Sequence, residues 1–423
     1  MRRGLSRAVW SLAALLLASC EEPPAGAPAG AVCGAASECA SARCELLRCV
    51  TPCASAADCP AALPACATLA GELLCLPVGE LRLTRALAPA PAAGAGADAG
   101  AGAGAGADAG AVAPVEVEVP SHASGLALLV RGGGADLAQL AEVTGPDGAR
   151  VAAAGDDTTA VRYQPSPGAS ALVLPQSPEL PLLPGRYLVR ASAGAAGGSL
   201  EVRYLLGPPP ASPRLHLHLH FVGLAGACWP TSEGTLDAAR ATQSVGFRAL
   251  LDEARRVLGQ VPIRIGDITY QDLAPDARWD PLLLTSGRTT PAFGALLSTG
   301  SAPDGDHALD VFFIKSFDPS AVAALSSSVP GPLDAHGTPS SGTVVALSPL
   351  CGGLTPKDLG RLLAHELAHL LGLFHNEEAD GTQDTIADTP MGPQNLMYWS
   401  PTAIELTPGQ RFVLLRNPTL DGR

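Results

Sequence analysis

The sequence predicts a multidomain chain: a small disulfide-rich module, an all-β sandwich-like module, and an α+β domain whose central helix carries clustered histidines. Three observations predict this order. Eight of the 11 cysteines lie between Cys33 and Cys75. Short alternating strands separated by Gly and Pro turns fill 115–207. A helical apolar period runs through 355–371 and ends at Gly372. At about 100–200 residues per domain, the 423 residues allow roughly two to four such units.

Composition narrows the function classes. Hydrophobic residues make up 47% and charged residues 16%, which excludes a charge-rich disordered chain. Gly (47) and Pro (39) are abundant enough to require linkers and turns. The net charge of −13, with no extended Lys/Arg run, excludes a nucleic-acid partner, because phosphates need neutralising cations. Beyond the N-terminus nothing approaches the ~20 apolar residues of a membrane span.

The N-terminus reads as an address. Arg2, Arg3 and Arg7 precede an apolar run from Ala8 to Leu17, which together make a secretory signal over 1–19. The end of that run, Leu17-Ala18-Ser19-Cys20, resembles the lipobox of bacterial lipoproteins. The resemblance implies cleavage before Cys20 and lipidation of its thiol, and Glu21 implies the outer membrane or surface of a Gram-negative cell. An ordinary signal peptide cut nearby is the plainer alternative.

Residues 20–87 form the cysteine-rich module. Its cysteines fall into two units, Cys33, Cys39, Cys44 and Cys49, then Cys53, Cys59, Cys66 and Cys75, each opening with a five-residue gap. No C-x-x-C knuckle occurs, so disulfides are expected over zinc, with connectivity left open. Export makes disulfides the default, and a module this small needs such staples. Residues 88–114 are nearly pure Ala, Gly and Pro, the composition of a flexible tether. In the 115–207 module, Val115 to Val119 and Arg186 to Arg190 alternate strictly, and Thr144-Gly145-Pro146-Asp147-Gly148 is a turn. No catalytic constellation lies within it.

The chemistry sits in 208–423. The segment Thr355 to His375 contains His365-Glu366-Leu367-Ala368-His369, then Gly372 and His375. On a helix, positions i and i+4 share a face, so His365 and His369 can address one ion. Glu366 lies one step round, close enough to hold a water without ligating. Gly372 can adopt φ > 0 and end the helix, which lets His375 return as a third ligand. Three histidines leave a tetrahedral zinc with one open position. Thr355, Pro356 and Asp358 supply the helix start.

This H-E-x-x-H-x-x-G-x-x-H pattern resembles that of the metzincin zinc endopeptidases. Met397, within Asn395-Leu396-Met397-Tyr398-Trp399, resembles their Met-containing turn, a support beneath the metal. Asp384-Thr385-Ile386-Ala387-Asp388-Thr389-Pro390 resembles a segment of the pappalysin-type branch, and Leu406 to Gln410 the start of a closing helix. The resemblance implies an α+β zincin-type domain hydrolysing proteins or peptides, with Glu366 as general base. One departure stands out. Where members of this branch often carry Tyr two residues after Met, this chain has Trp399, and Tyr398 directly follows Met397, so that Tyr's role is left unassigned and whether Tyr398 takes part in catalysis stays open. Asp384 and Asp388 could bind calcium, Ca2+, or only brace their loop, and bracing is the expected reading.

Upstream, Arg214 to Val222 alternates as a strand, with His216, His218 and His220 on one face. Three histidines along one strand rarely close a tetrahedron, so a structural face is expected. Thr235 to Leu258 has helical periodicity. Val261 to Ile268, Ala308 to Ile314 and Thr343 to Leu347 read as strands. The resemblance implies an edge strand pairing with substrate backbone, sought in Ala321 to Pro332. Cys228 and Cys351 are expected as one disulfide. His122, His307 and His336 lack motif context and are expected at the surface. The sequence therefore points to a lipid-anchored, extracytoplasmic zinc endopeptidase. The alternatives are a catalytically silent surface-binding lipoprotein on the same fold, or a zinc hydrolase of non-peptide substrates.

Overall fold

The computed structural model describes residues 26–88, 112–132, 139–154, 159, 161–164, 168–285, 289–301, 307–331, 335–400 and 403–422. The signal segment, Cys20 and most of the 88–114 tether lie outside them. No helix among the described residues is long and apolar enough to cross a membrane.

The chain divides into two compact units at Thr51 and Pro52. The first holds a two-stranded ladder, β1 (Cys44–Glu45) and β2 (Arg48–Cys49). Disulfides Cys33–Cys44 and Cys39–Cys49 bury three cysteines as its small core. The second unit opens with a hairpin of β3 (Ala65–Leu69) and β4 (Glu72–Leu76), tied by Cys53–Cys66 and Cys59–Cys75. Both four-cysteine units thus join first to third and second to fourth. The five disulfides of the described residues suit an oxidising, extracytoplasmic setting.

Next come two four-stranded antiparallel sheets. Their strands are β5 (Gly79–Ala86), β6 (Val115–Val119), β7 (Ala123–Arg131), β8 (Leu140–Thr144), β9 (Arg150–Ala153), β10 (Ala169–Leu174), β11 (Gly185–Ala191) and β12 (Ser199–Leu206). One sheet runs β10-β7-β12-β5, the other β6-β11-β8-β9. The Tyr204 hydroxyl on β12 donates to the Glu118 carbonyl on β6, and Leu140 N on β8 donates to Ser170 Oγ on β10, so the sheets are stitched together. Strand β5 lies within the range expected for the cysteine-rich module, yet it pairs along its whole length with β12. Its buried Leu81 and Leu83 alternate as a sheet requires, so sheet pairing extends past the boundary that cysteine spacing suggested. The two four-cysteine units also belong to different compact units rather than to one module.

The remainder is a five-stranded sheet with helices. Its elements are β13 (Arg214–Val222), α1 (Ala238–Ala241), α2 (Val245–Leu258), β14 (Arg264–Leu273), β15 (Leu282–Leu283), α3 (Pro291–Leu297), β16 (Leu309–Ile314), β17 (Phe317–Asp318), β18 (Ala324–Ser326), β19 (Thr343–Ala346), α4 (Pro356–Leu370) and α5 (Pro408–Leu415). The order is β14-β13-β16-β19-β18, parallel except for the edge strand β18. Leu217, Leu219, Phe221, Val311 and Phe313 face a core shared with α2 and α4. Val222, Phe312, Ile314 and Val344 face a second core with α3. Each helical layer covers one sheet face, the arrangement that buries parallel strands on both sides. The single helix expected over 235–258 is broken instead. Ser244 caps α2 by accepting from Phe247 N, because a serine satisfies a helix start better than a helix interior.

Candidate metal centre and active-site cleft

Helix α4 starts with a capping box. Thr355 Oγ1 accepts from Asp358 N, and Asp358 Oδ2 accepts from Thr355 N at 2.8 Å. Its apolar face, Leu359, Leu363 and Leu367, is fully buried. Gly360 permits the contact with α2, since a Cβ there would sit 2.3 Å from the Leu250 carbonyl oxygen. Across the same contact Glu253 accepts from Arg361 Nε at 2.9 Å, and within α2 it accepts from Arg256 Nη2 at 2.6 Å. Its carboxyl is held at about 2, chiefly by the Arg256 hydrogen bond, with Arg361 adding to it against the effect of burial.

The helix ends as its glycine demands. Gly372 adopts φ +111°, a conformation that L side chains rarely adopt, and the chain turns back. His375 thereby meets His365 and His369, and one ligand atom from each lies within 4.8 Å of the others. His369 Nε2 and His375 Nε2 are 3.0 Å apart. Every Nδ1 is engaged elsewhere: His365 with the Leu396 carbonyl at 2.7 Å, His369 with the Leu373 carbonyl at 2.7 Å, His375 with Glu378 Oε2 at 2.6 Å. These partners fix the tautomer and leave each Nε2 lone pair for a cation. Burial, reinforced by the neighbouring imidazoles, holds His365 at about 3 and His369 well below its ordinary value. Imidazoles converging on one point fit a zinc-class ion.

The segment after His375 builds the floor. Met397 is fully buried, and its carbonyl accepts from Asn376 N at 3.0 Å. Asn395 and Gln410 exchange two amide hydrogen bonds of 2.9 and 3.0 Å, while Asn395 Oδ1 also accepts from Met397 N. Helix α5 therefore buttresses the turn that presents Leu396 to His365. Thr407 and Gln410 match a capping-box spacing, so that signal was present in the sequence. Asp388 Oδ2 accepts from Gly409 N and Asp384 Oδ1 from Ile386 N, so both carboxylates brace the loop. Burial lifts Asp384 to about 7. Cys228 and Cys351 are bonded and tie the loop after β13 to the entrance of α4.

Glu366 is buried at the base of an open cleft of about 1190 Å³. Its Oε2 accepts from Ser326 Oγ at 2.6 Å, and the same hydroxyl lies 3.0 Å from the Glu366 carbonyl. Burial raises the Glu366 carboxyl to about 7, against the lowering effects of Ser326 and His375. Ser326 carries no sequence signal; it stands 40 residues away on the short edge strand β18. That strand lies in the segment where an edge was sought, and Ala324, Leu325 and Ser326 line the cleft. Pro332 lies outside the described residues. Trp399 lines the cleft and is 47% exposed, whereas Tyr398 is not among its lining residues.

The all-β module also reaches this cleft. Val161, Arg162, Tyr163 and Gln164 line it. Gln164 N donates to the Val329 carbonyl at 2.8 Å, and the Arg162 guanidinium lies 4.6 Å over the Phe374 ring. Sequence reading found no site in this module, since a lining contributed across a domain boundary has no local pattern.

The other histidines take separate places. His216 accepts from Asp267 N at an irregularity in the β13–β14 register, while His218 and His220 turn to buried Asp310. His336 is not an ordinary surface residue. Its Nδ1 is 2.7 Å from Asp310 Oδ2 and its ring stacks on His218. His122 Nε2 is 2.9 Å from the Pro77 carbonyl, and His307 is half-buried beside Glu80.

No family model matches the chain, and no curated protein matches it. Among solved structures, metalloproteinase-II from Bacteroides fragilis matches at 13% identity and a TM-score of 0.28, over 51% of this chain and 61% of that one. A chaperone–substrate complex matches at 10% identity and a TM-score of 0.28, over 49% of this chain and 34% of that one. The chain thus spans less than two thirds of either neighbour. Likeness at this level assigns no activity.

Proposed function

We propose that the chain is a zinc endopeptidase of metzincin type, most similar to the pappalysin branch, exported and anchored outside the cytoplasm through lipidated Cys20. The observation that carries the reading is the convergence of His365, His369 and His375 through Nε2, with each Nδ1 tied, next to buried Glu366 in an open cleft. Those three imidazoles would hold zinc. When bound, the ion would lower the pKa of water at the site and polarise a carbonyl.

The chain's own residues then do the following. An extended peptide lies along β18 by strand addition, with its scissile bond over Glu366. Glu366 takes the proton of the attacking water and returns it to the leaving amine. Ser326 holds the carboxylate oxygen in place for both transfers. The Leu396 carbonyl and Glu378 keep the His365 and His375 rings in orientation. Substrates are proteins or peptides.

The test incubates the full chain with casein, alongside Glu366→Ala and a chelated sample. Cleavage by the untreated wild type is expected to fall by about 10²–10⁴-fold in Glu366→Ala, with zinc retained. Undiminished cleavage in Glu366→Ala would refute the role assignment. Stoichiometric zinc without cleavage of casein or a peptide library would favour the silent binding protein instead.

A further inference from the structure

A second cluster lies on the sheet face covered by α3, and the function above makes no use of it. His218 on β13 stands beside Asp310 on β16 in the strand register. His220 follows two residues on, so it projects to the same side. His336 enters from the loop before β19. Asp310 is completely buried, His220 is 1% exposed and His218 5%. Burying a carboxylate is costly unless a cation accompanies it.

The geometry resembles that of the catalytic trio. One ligand atom from each of His218, Asp310 and His336 lies within 4.8 Å of the others. His218 Nδ1 is 3.7 Å from Asp310 Oδ1, and His336 Nδ1 is 2.7 Å from Asp310 Oδ2. Tetrahedral zinc with bonds of about 2.0–2.1 Å sets its ligand atoms roughly 3.3 Å apart, inside the 4.8 Å that bounds this trio. The His218 and His336 rings sit 5.1 Å apart at 25°, close to the 5.3 Å and 30° of His365 and His375. Two glycines make room for Asp310, Gly300 at its carboxylate and Gly342 at its backbone. A Cβ at Gly300 would meet Asp310 Oδ2 at 3.0 Å, and one at Gly342 would meet the Asp310 carbonyl oxygen at 2.6 Å. His220 Nε2, 2.8 Å from Asp310 Oδ1, orients the carboxylate as partners of metal ligands do.

We propose that His218, Asp310 and His336 form a second metal site, for a zinc-class divalent ion. Two imidazoles and one carboxylate suit such an ion, whereas calcium and magnesium take all-oxygen sets. The ion ties β13 and β16 to the loop that leads into β19. It is structural, because its ligands project away from the core shared with α4.

The test counts zinc in the full-length protein after equilibration with zinc and removal of the unbound ion. Wild type is expected to hold two ions per chain. The double variant His365→Ala/His369→Ala keeps one, and adding His336→Gln to it removes that one. The proposal is overturned if the double variant holds none, or if its ion survives His336→Gln. If wild type holds one ion, its loss in His336→Gln and retention in the double variant upholds this site and refutes the catalytic one. The opposite pattern refutes this site alone. Wild type needs no mutation in the second cluster, so a misfolded His336→Gln leaves the count of two against one decisive.

Discussion

Two histidine clusters serve one five-stranded sheet, and they differ in how the chain brings them together. The cluster on α4 draws two histidines from one helix turn and the third from just past its end. The cluster on the opposite sheet face draws one residue each from β13, β16 and a loop. The first is a product of local geometry, the second of tertiary pairing alone. The helix cluster therefore depends on how α4 is seated, and the strand cluster on the register of the sheet.

That difference can be broken at the α2–α4 contact. Gly360→Ala places a methyl 2.3 Å from the Leu250 backbone oxygen, which cannot move without shifting α2. The expected cost is ~3 kcal/mol, the upper part of the range for overpacking, measured by urea unfolding. Zinc at the helix cluster should weaken, while the ion at His218, Asp310 and His336 should persist. Equal loss at both would mean that the two clusters share one cooperative support.

The comparison also shows what was legible in the sequence. The placing of His365 and His369 is legible because helix periodicity converts sequence spacing into spatial proximity, and that of His375 because it follows the Gly372 reversal at a fixed offset. Gly372 was legible for the same reason, as a chain reversal at a fixed offset. The pairing of His218 with Asp310 was not, because the strand register depends on the whole sheet and 92 residues separate them. His336 sits in a loop with no period. Within each four-cysteine unit, spacing could not rank the possible pairings, and the fold chose first-to-third and second-to-fourth. Strand β5 reads with the cysteines because its partner β12 lies more than a hundred residues on.

The salt link across α2 and α4 sharpens the point at smaller magnitude. Glu253 has its folded pKa lowered to about 2, against about 4.3 for a free glutamate. A depressed carboxylate contributes stability that is present above the unfolded value and lost as pH falls toward the folded one. Glu253→Gln should therefore cost ~2 kcal/mol at pH 6, and the gap to wild type should close between about pH 4.5 and pH 2. Unfolding midpoints across that range check it. A gap that stays constant to pH 2 would mean that the residue acts through packing and not charge.

Ser326 gives the finest test, since it couples the sheet edge to the helix cluster through one hydroxyl. Its hydrogen bond to Glu366 Oε2 is charge-assisted when the carboxylate is ionised, and such bonds are worth roughly 1.5–3 kcal/mol. Only part of that is felt in turnover, because water can reach the cleft and substitute for the hydroxyl. Ser326→Ala is expected to lower kcat by about 10-fold, near 1.4 kcal/mol, with KM nearly unchanged, because in the proposed mechanism the β18 backbone, and not this side chain, grips the peptide. Ser326→Thr restores the hydroxyl and should recover most of the rate, which a loss of packing alone would not predict. A rise in KM without a fall in kcat would instead place Ser326 in substrate binding, and the link between the sheet edge and Glu366 as the proposed base would be withdrawn.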